Sequence, residues 1–318
     1  MTDLVVRKIR WEFDDTVPFM WQPANPNFGI FCNVFTFIAV PFERYLIKAL
    51  RQAQDRFDES PEVAAEADAF LRQEGQHAAA HRKHMTALVA RYPGLERAYD
   101  DATLAFDRLV DEHPVEFHAA YIANLEATFT PLFKVVLDNR DSMFAGSDRR
   151  VASLMTWHFV EEIEHRSSGL ILYRHLSPDP WYRVKRVRDT FRHIGDVAAG
   201  IARTIDDVVP FEDRGASAQD LMSVALLVDE FKYRGPGGTR RLARRTGCPT
   251  MFNSVPTGDL AKMVWRLTLS QGPNHDPGDQ PLPDWAATWM AEYARGTDMT
   301  TFGVDSGSGQ PPVGRDSR

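Results

Sequence analysis

The stretch WHFVEEIEHRSSG, residues 157–169, decides how this chain is read. Glu162 and His165 stand three apart in it, an interval that makes two side chains neighbours on one face of an α-helix. The same spacing occurs earlier, in RQEGQHAAAH, where Glu74 precedes His77. Ahead of each pair, on a strongly apolar segment, stands a lone glutamate: Glu43 in AVPFERYLIKAL and Glu126 in NLEATFTPLF. Folded as four helices around one axis, these segments turn four carboxylates and two imidazoles toward a common point.

Helical periodicity supports that reading in each segment. Residues 31–57 place Thr36, Val40, Glu43, Ile47 and Leu50 on one stripe. A second helix starts near Ser60, where Ser-Pro-Glu supplies a cap and a proline at the first helical position, and it ends at Tyr92-Pro93-Gly94. Phe70, Glu74, His77, His81 and Met85 share its inner face. A shorter helix over 95–112 leads to the third, 115–139, where Ile122, Glu126, Thr130 and Phe133 form the buried stripe and Pro131 predicts a kink close to Glu126. The fourth, 148–176, gathers Met155, His158, Glu162, His165 and Gly169 in a narrow arc. Glu161 falls at the margin of that arc, and Glu164 points away, toward solvent.

The chemistry follows from the donor set. Four buried carboxylates are very costly unpaired, whereas two divalent cations neutralise them. Carboxylate oxygens with imidazole nitrogens suit Fe or Mn, and neither cysteine is placed for a thiolate zinc site. The ligands read from spacing are Glu43, Glu74, His77, Glu126, Glu162 and His165. His158, four residues before Glu162 and in the same arc, is read either as a further ligand or as a histidine hydrogen-bonded to one. His81, four after His77, reads as a supporting or pocket-lining residue, and His84 and His118 as structural. Tyr45 and Tyr121 point off the ligand faces. An isolated Glu-x-x-His is commonplace; two copies, each with its own inward glutamate, carry the assignment.

Composition sets the frame. The chain has 318 residues, 43% of them hydrophobic, and a net charge of −7, which excludes the basic footprint of a nucleic-acid binder. Basic clusters in WYRVKRVRDTFRH and RRLARR read as solvated helix faces rather than as a site for an anionic partner. Cys32 and Cys248 make no disulfide framework, and a reducing compartment fits. With no leader-like apolar segment and none of the ~18 to 20 residues that a membrane span needs, a cytoplasmic protein with no membrane association is expected.

The expected organisation is all-α: an extended, aromatic-anchored segment over 1–30, a four-helix di-metal bundle over 31–176, accessory helices over 177–295 and a disordered tail over 296–318. Within the accessory part, helices are expected over 181–208, 216–234, 240–245, 257–269 and 283–293.

The strings PFERYLIKAL, AFLRQEGQHAAAHRKHM, LEATFT and WHFVEEIEHRSSGLILYRHL resemble the bacterial family described as predicted metal-dependent hydrolases, over about residues 8–240. The chain departs from that pattern at Phe42, where the family has a glycine, and after His165. Its ligand order is similar to the ferritin-like di-iron carboxylate pattern, and in spacing to that of the arylamine N-oxygenases. The leading expectation is a di-metal enzyme, with two Fe or two Mn ions, that activates O2 to oxidise a small organic substrate, served by an electron-donor protein. A hydrolase using a metal-bridging hydroxide, as the family description implies, is the alternative; a ferroxidase or iron-handling protein is the third. A homodimer is compatible with the accessory helices.

Overall fold

The computed structural model describes residues 4–222, 230 and 248–303. The fold is all-α, with no strand among the described residues. Helix α1, Pro26–Leu50, is apolar nearly all round and runs through the interior, leaving only Arg44 and Lys48 exposed. It starts five residues earlier than its periodicity suggests, because the Asn25 side chain accepts from the Phe28 amide and Pro26 occupies the first turn. It also ends sooner. A 3₁₀ turn, Arg51–Ala53, and one helical turn, Gln54–Phe57, replace its expected last residues.

The stretch Pro26–Phe57 contains a window with the length and apolarity of a membrane span, contrary to the sequence expectation, with a mean hydropathy of 1.4. Of its most apolar window 78% is buried inside the fold, so its hydrophobicity is spent on the core.

Helix α2 is Pro61–Arg91; Ser60 precedes it in extended conformation, but its side chain makes no capping hydrogen bond. Helix α3, Glu96–Glu112, leads to α4, Val115–Asp138, which is continuous through Pro131. The expected fourth helix is two. Asp148 caps α5, Arg149–Glu164, by accepting from the amides of Arg150 and Val151; the helix stops at His165 (φ −90°, ψ 14°) and resumes as α6, Ser168–Leu176. Helix α7, Pro180–Val208, is capped by Asp179 and lies against α1, α3 and α4. Helices α1, α2, α4 and α5 with α6 pack side by side around the buried glutamates and histidines.

Helices α8, Thr257–Ser270, and α9, Asp284–Ala294, complete the described fold, α8 against α4. Of the helix expected over 216–234, Ala218–Leu221 is seen and most of the remainder lies outside the described residues, as does 240–245. The start of the expected disordered tail is ordered: Met299 is buried, and the carbonyls of Thr301 and Phe302 accept from Arg149 and from Ser153 Oγ of α5. Residues 304–318 lie outside the description. At the other end, residues 4–25 have no regular element, but Trp11, Phe19 and Trp21 are buried, Trp11 with its ring 5.5 Å from that of Trp157.

Candidate metal centre

The four ligand-bearing segments meet at one level. Glu43 comes from α1, Glu74 and His77 from α2, Glu126 from α4, and His158 and Glu162 from α5, while His165 occupies the turn after α5. All seven are at most 2% exposed. Six of them form two donor groups, Glu43 with His77 and His158, and Glu74 with Glu162 and His165, each with one ligand-type atom per residue within 4.8 Å of the others, and Glu126 stands beside the second.

Two carboxylates join the groups. Glu162 Oε1 is 2.8 Å from His158 Nε2 and 3.5 Å from His77 Nδ1, while its Oε2 is 3.3 Å from His165 Nε2. Glu74 likewise turns Oε2 to His77 Nδ1 at 3.9 Å and Oε1 to His165 Nε2 at 3.2 Å. Glu43 Oε1 lies 3.9 Å from His158 Nε2 on one flank, and Glu126 Oε2 3.4 Å from His165 Nε2 on the other. The layout is two carboxylates that each face both groups, between two that each face one.

Each histidine directs one nitrogen inward and gives the other to a partner. His77 Nε2 is 2.9 Å from Glu161 Oε2, His158 Nδ1 is 2.9 Å from His81 Nε2, and His165 Nδ1 is 3.1 Å from Gln73 Oε1. That arrangement fixes ring orientation and tautomer, as metal-binding histidines require. His81 is held in turn by Thr36 Oγ1 at 3.0 Å, which also meets His84 Nδ1 at 3.2 Å. Tyr45 and Tyr121 bond instead to His118 and His193, away from the centre.

The donor set passes a test for metal that needs no family argument. Seven buried atoms facing the centre have no hydrogen-bond partner: Glu43 Oε2, Glu74 Oε1, His77 Nδ1, both Glu126 oxygens, Glu162 Oε2 and His165 Nε2. Their mutual approaches of 3.2–3.9 Å are ion-pair distances without hydrogen-bond geometry. At ~1–3 kcal/mol each, leaving them unmet costs on the order of 10 kcal/mol, as much as the whole stability of an ordinary domain. Two divalent cations meet all of them.

Protonation follows the same logic. Burial raises Glu43, Glu74 and Glu126, and neighbouring carboxylates add to it; Glu126 is pushed up to about 8. Burial would also raise Glu162, but the charge of His165 and the His158 hydrogen bond outweigh it and hold this carboxyl below its usual range. Burial lowers His77 and His165, yet the carboxylates around them win and both rise. His158 falls to about 4 through burial and the charge of His77. Without metal, the cluster therefore retains protons that an unfolded chain releases.

The sign of the resulting pH dependence is fixed. A raised group contributes stability below its unfolded pKa and loses it as pH climbs through the folded value. For Glu126 that window runs from 4.5 to about 8, and for the two histidines it opens at 6.5 and extends upward. Glu162 works in the opposite sense on the acid side of 4.5, and the lowered His158, His81 and His84 do so below 6.5. Chelator-treated protein is thus expected to melt at progressively lower temperature from pH 6.5 to pH 8, and metal-loaded protein is not. Melting curves across that range check it; parallel curves for the two forms would refute it.

Two glutamates of the opening stretch need correction. Glu164 is not a solvent residue: it receives both Arg7 Nη1 (2.7 Å) and Nη2 (2.8 Å), and Gln73 Nε2 at 2.8 Å. Glu161 is fully buried, between His77 and Arg7 Nη1 at 3.0 Å. Arg7 and Gln73, which helical spacing did not single out, thereby tie the N-terminal segment to two of the three candidate ligand histidines, His77 and His165. Gly169 contributes by its lack of a side chain. A Cβ there would meet Glu126 Cγ at 2.9 Å, so α6 can approach α4 only with glycine at this point.

No curated protein and no solved structure matches the chain significantly. A family profile described as predicted metal-dependent hydrolase matches residues 5–206, a span that contains Arg7, Gln73 and all seven clustered side chains. With nearly two thirds of its length matched, the chain belongs to the family of predicted metal-dependent hydrolases.

Proposed function

We propose that the chain is a hydrolase that works through two divalent ions, one held by Glu43, His77 and His158, the other by Glu126 and His165, with Glu74 and Glu162 between them. The observation that carries it is the set of seven inward, unpartnered donor atoms in a fully buried centre. When bound, such ions lower the pKa of a water and polarise the carbonyl it attacks. The protein's share is orientation and proton handling. Glu43 lines the cavity that reaches the centre, and its Oε2 has no hydrogen bond. A carboxylate oxygen at that place can take a proton from the attacking water and return it to the leaving group. Surrounding helices exclude bulk solvent.

Metal-stripped protein reloaded with Zn, Mn or Fe and assayed against small esters and amides under nitrogen tests this. Turnover without O2, lost on chelation, is expected. If no ester or amide is cleaved by fully loaded protein, the reading fails.

One observation favours a second reading, oxidation of a small organic substrate with O2 by an iron pair. The cavity beside the centre offers hydrocarbon walls and no separate acid for a leaving group. On that reading iron-loaded protein consumes O2 with a reductant or electron-donor protein present, and zinc-loaded protein is inert. Uptake of O2 by Fe(II) alone, with no organic co-substrate, would point to iron handling.

A further inference from the structure

One cavity, of about 660 Å³, lies beside the N-terminal segment against Arg10, Glu12, Asp14, Arg150 and Asp298, and it touches no candidate ligand. A smaller one, about 140 Å³, opens on the Glu43, His158 and Glu162 side of the centre, between α1, α4 and α7. Phe35, Phe42, Leu125, Phe129, Phe133 and Ile194 supply much of its wall, and those three candidate ligands are the only polar side chains that line it.

We infer that this cavity is where the substrate binds, and that it selects an uncharged, apolar group about the size of one six-membered ring. The inference rests on the centre being the reaction site and fixes what kind of molecule can reach it. Size follows from comparison: an apolar protein cavity of about 150 Å³ stays dry and takes benzene. Selectivity follows from the walls. A ligand atom that needs a hydrogen bond finds none here except at the metal-facing side, and each such atom left unmet weakens binding by about tenfold or more.

The rings are also held in place, so the shape is pre-formed. Phe35 stands edge-on to His158 at 4.9 Å and to Phe133 at 5.5 Å, and Phe133 stacks on Phe159 at 4.1 Å. Phe42 adjoins Glu43 in sequence, stands edge-on to Phe129 at 6.3 Å and forms part of the wall. Ala39, also on the wall, is the position where added volume would fill the space.

The test is binding to zinc-loaded, full-length protein, followed by ligand-observed NMR with benzene, cyclohexane, 1,4-dioxane and benzamidinium as probes. Benzene and cyclohexane are expected to bind, dioxane and benzamidinium at least about tenfold more weakly. Ala39→Phe should abolish benzene binding, and Phe42→Ala, which enlarges the space, should admit naphthalene. Equal binding of the polar probes, or benzene binding unaffected by Ala39→Phe in a variant that still melts cooperatively and retains zinc, overturns the inference. Because no turnover is measured, binding of benzene by a protein that neither hydrolyses nor oxidises anything would leave the cavity's size and selectivity standing and remove the proposed function. Turnover unaffected by saturating benzene would do the reverse.

Discussion

Glu162→Ala is expected to purify as folded protein that carries neither metal, whereas Glu126→Ala should retain one. The difference lies in where the two carboxylates stand. Glu126 flanks one donor group only, next to His165. Glu162 faces both, with one oxygen toward His77 and His158 and the other toward His165. Deleting it leaves His158 without its carboxylate and the second group with one acid from α2 and one from α4. Losing one charged ligand of a buried site by the equivalent of ~3 to 4 kcal/mol is a loss of several hundredfold in affinity, enough to empty a site during purification. Folding should survive at some cost in stability: Glu162 is the carboxylate that His165 and His158 hold charged, but the other three carboxyls are raised and can keep their protons once it is gone. Metal content per chain by elemental analysis decides: two for the parent, one for Glu126→Ala and none for Glu162→Ala. Two metals in Glu162→Ala would mean that Glu162 does not bridge, and the arrangement above would be wrong.

Much of this centre is written in the sequence because its logic is local. Glu74 with His77, and His158 with Glu162, are brought together by helical spacing alone, and the apolar stripes around Glu43 and Glu126 say which way those two face. Where the local rule fails, the reason is visible. His165 is not on a helix: the chain turns over residues 165–167, Ser168 at the start of α6 gives its hydroxyl to Glu66 at 2.6 Å, and the turn still brings His165 to Glu162. Helical direction correctly removes Glu164 from the ligand face. It cannot show that Arg7, 157 positions away, arrives to meet it. The ordering of residues 299–303 is non-local in the same way, depending on Ser153 and Arg149 of α5. Side chains that form the centre were legible from spacing; those that hold it from outside come from segments with no periodicity to read.

That outer layer makes a second large effect predictable. Glu161→Ala is expected to weaken metal binding at the His77 group by about 10–100-fold, because carboxylate partners of metal-bound histidines typically contribute that much. Glu161 Oε2 fixes His77 so that Nδ1 faces the centre, and Oε1 is itself fixed by Arg7. Glu161→Gln keeps an acceptor for the imidazole while losing the charge, and should fall between parent and alanine. Arg7→Met should resemble Glu161→Ala in metal affinity and add a loss of stability of ~3–5 kcal/mol, since Glu161 is left buried without its cation and Glu164 loses both guanidinium bonds. If Arg7 acts on the centre through Glu161, the double variant binds metal no worse than Glu161→Ala alone; two independent effects would multiply. Competition with a chelator of known affinity measures this directly, and a chain that merely unfolds is recognised by its melting curve. For Glu161→Ala the His165 half, supported by Gln73, serves as the internal reference; Arg7 also reaches that half, through Glu164 and Gln73. Equal weakening of both metals would show that Arg7 and Glu161 stabilise the bundle as a whole, while selective loss at His77 would show that the N-terminal segment sets the geometry of one ligand.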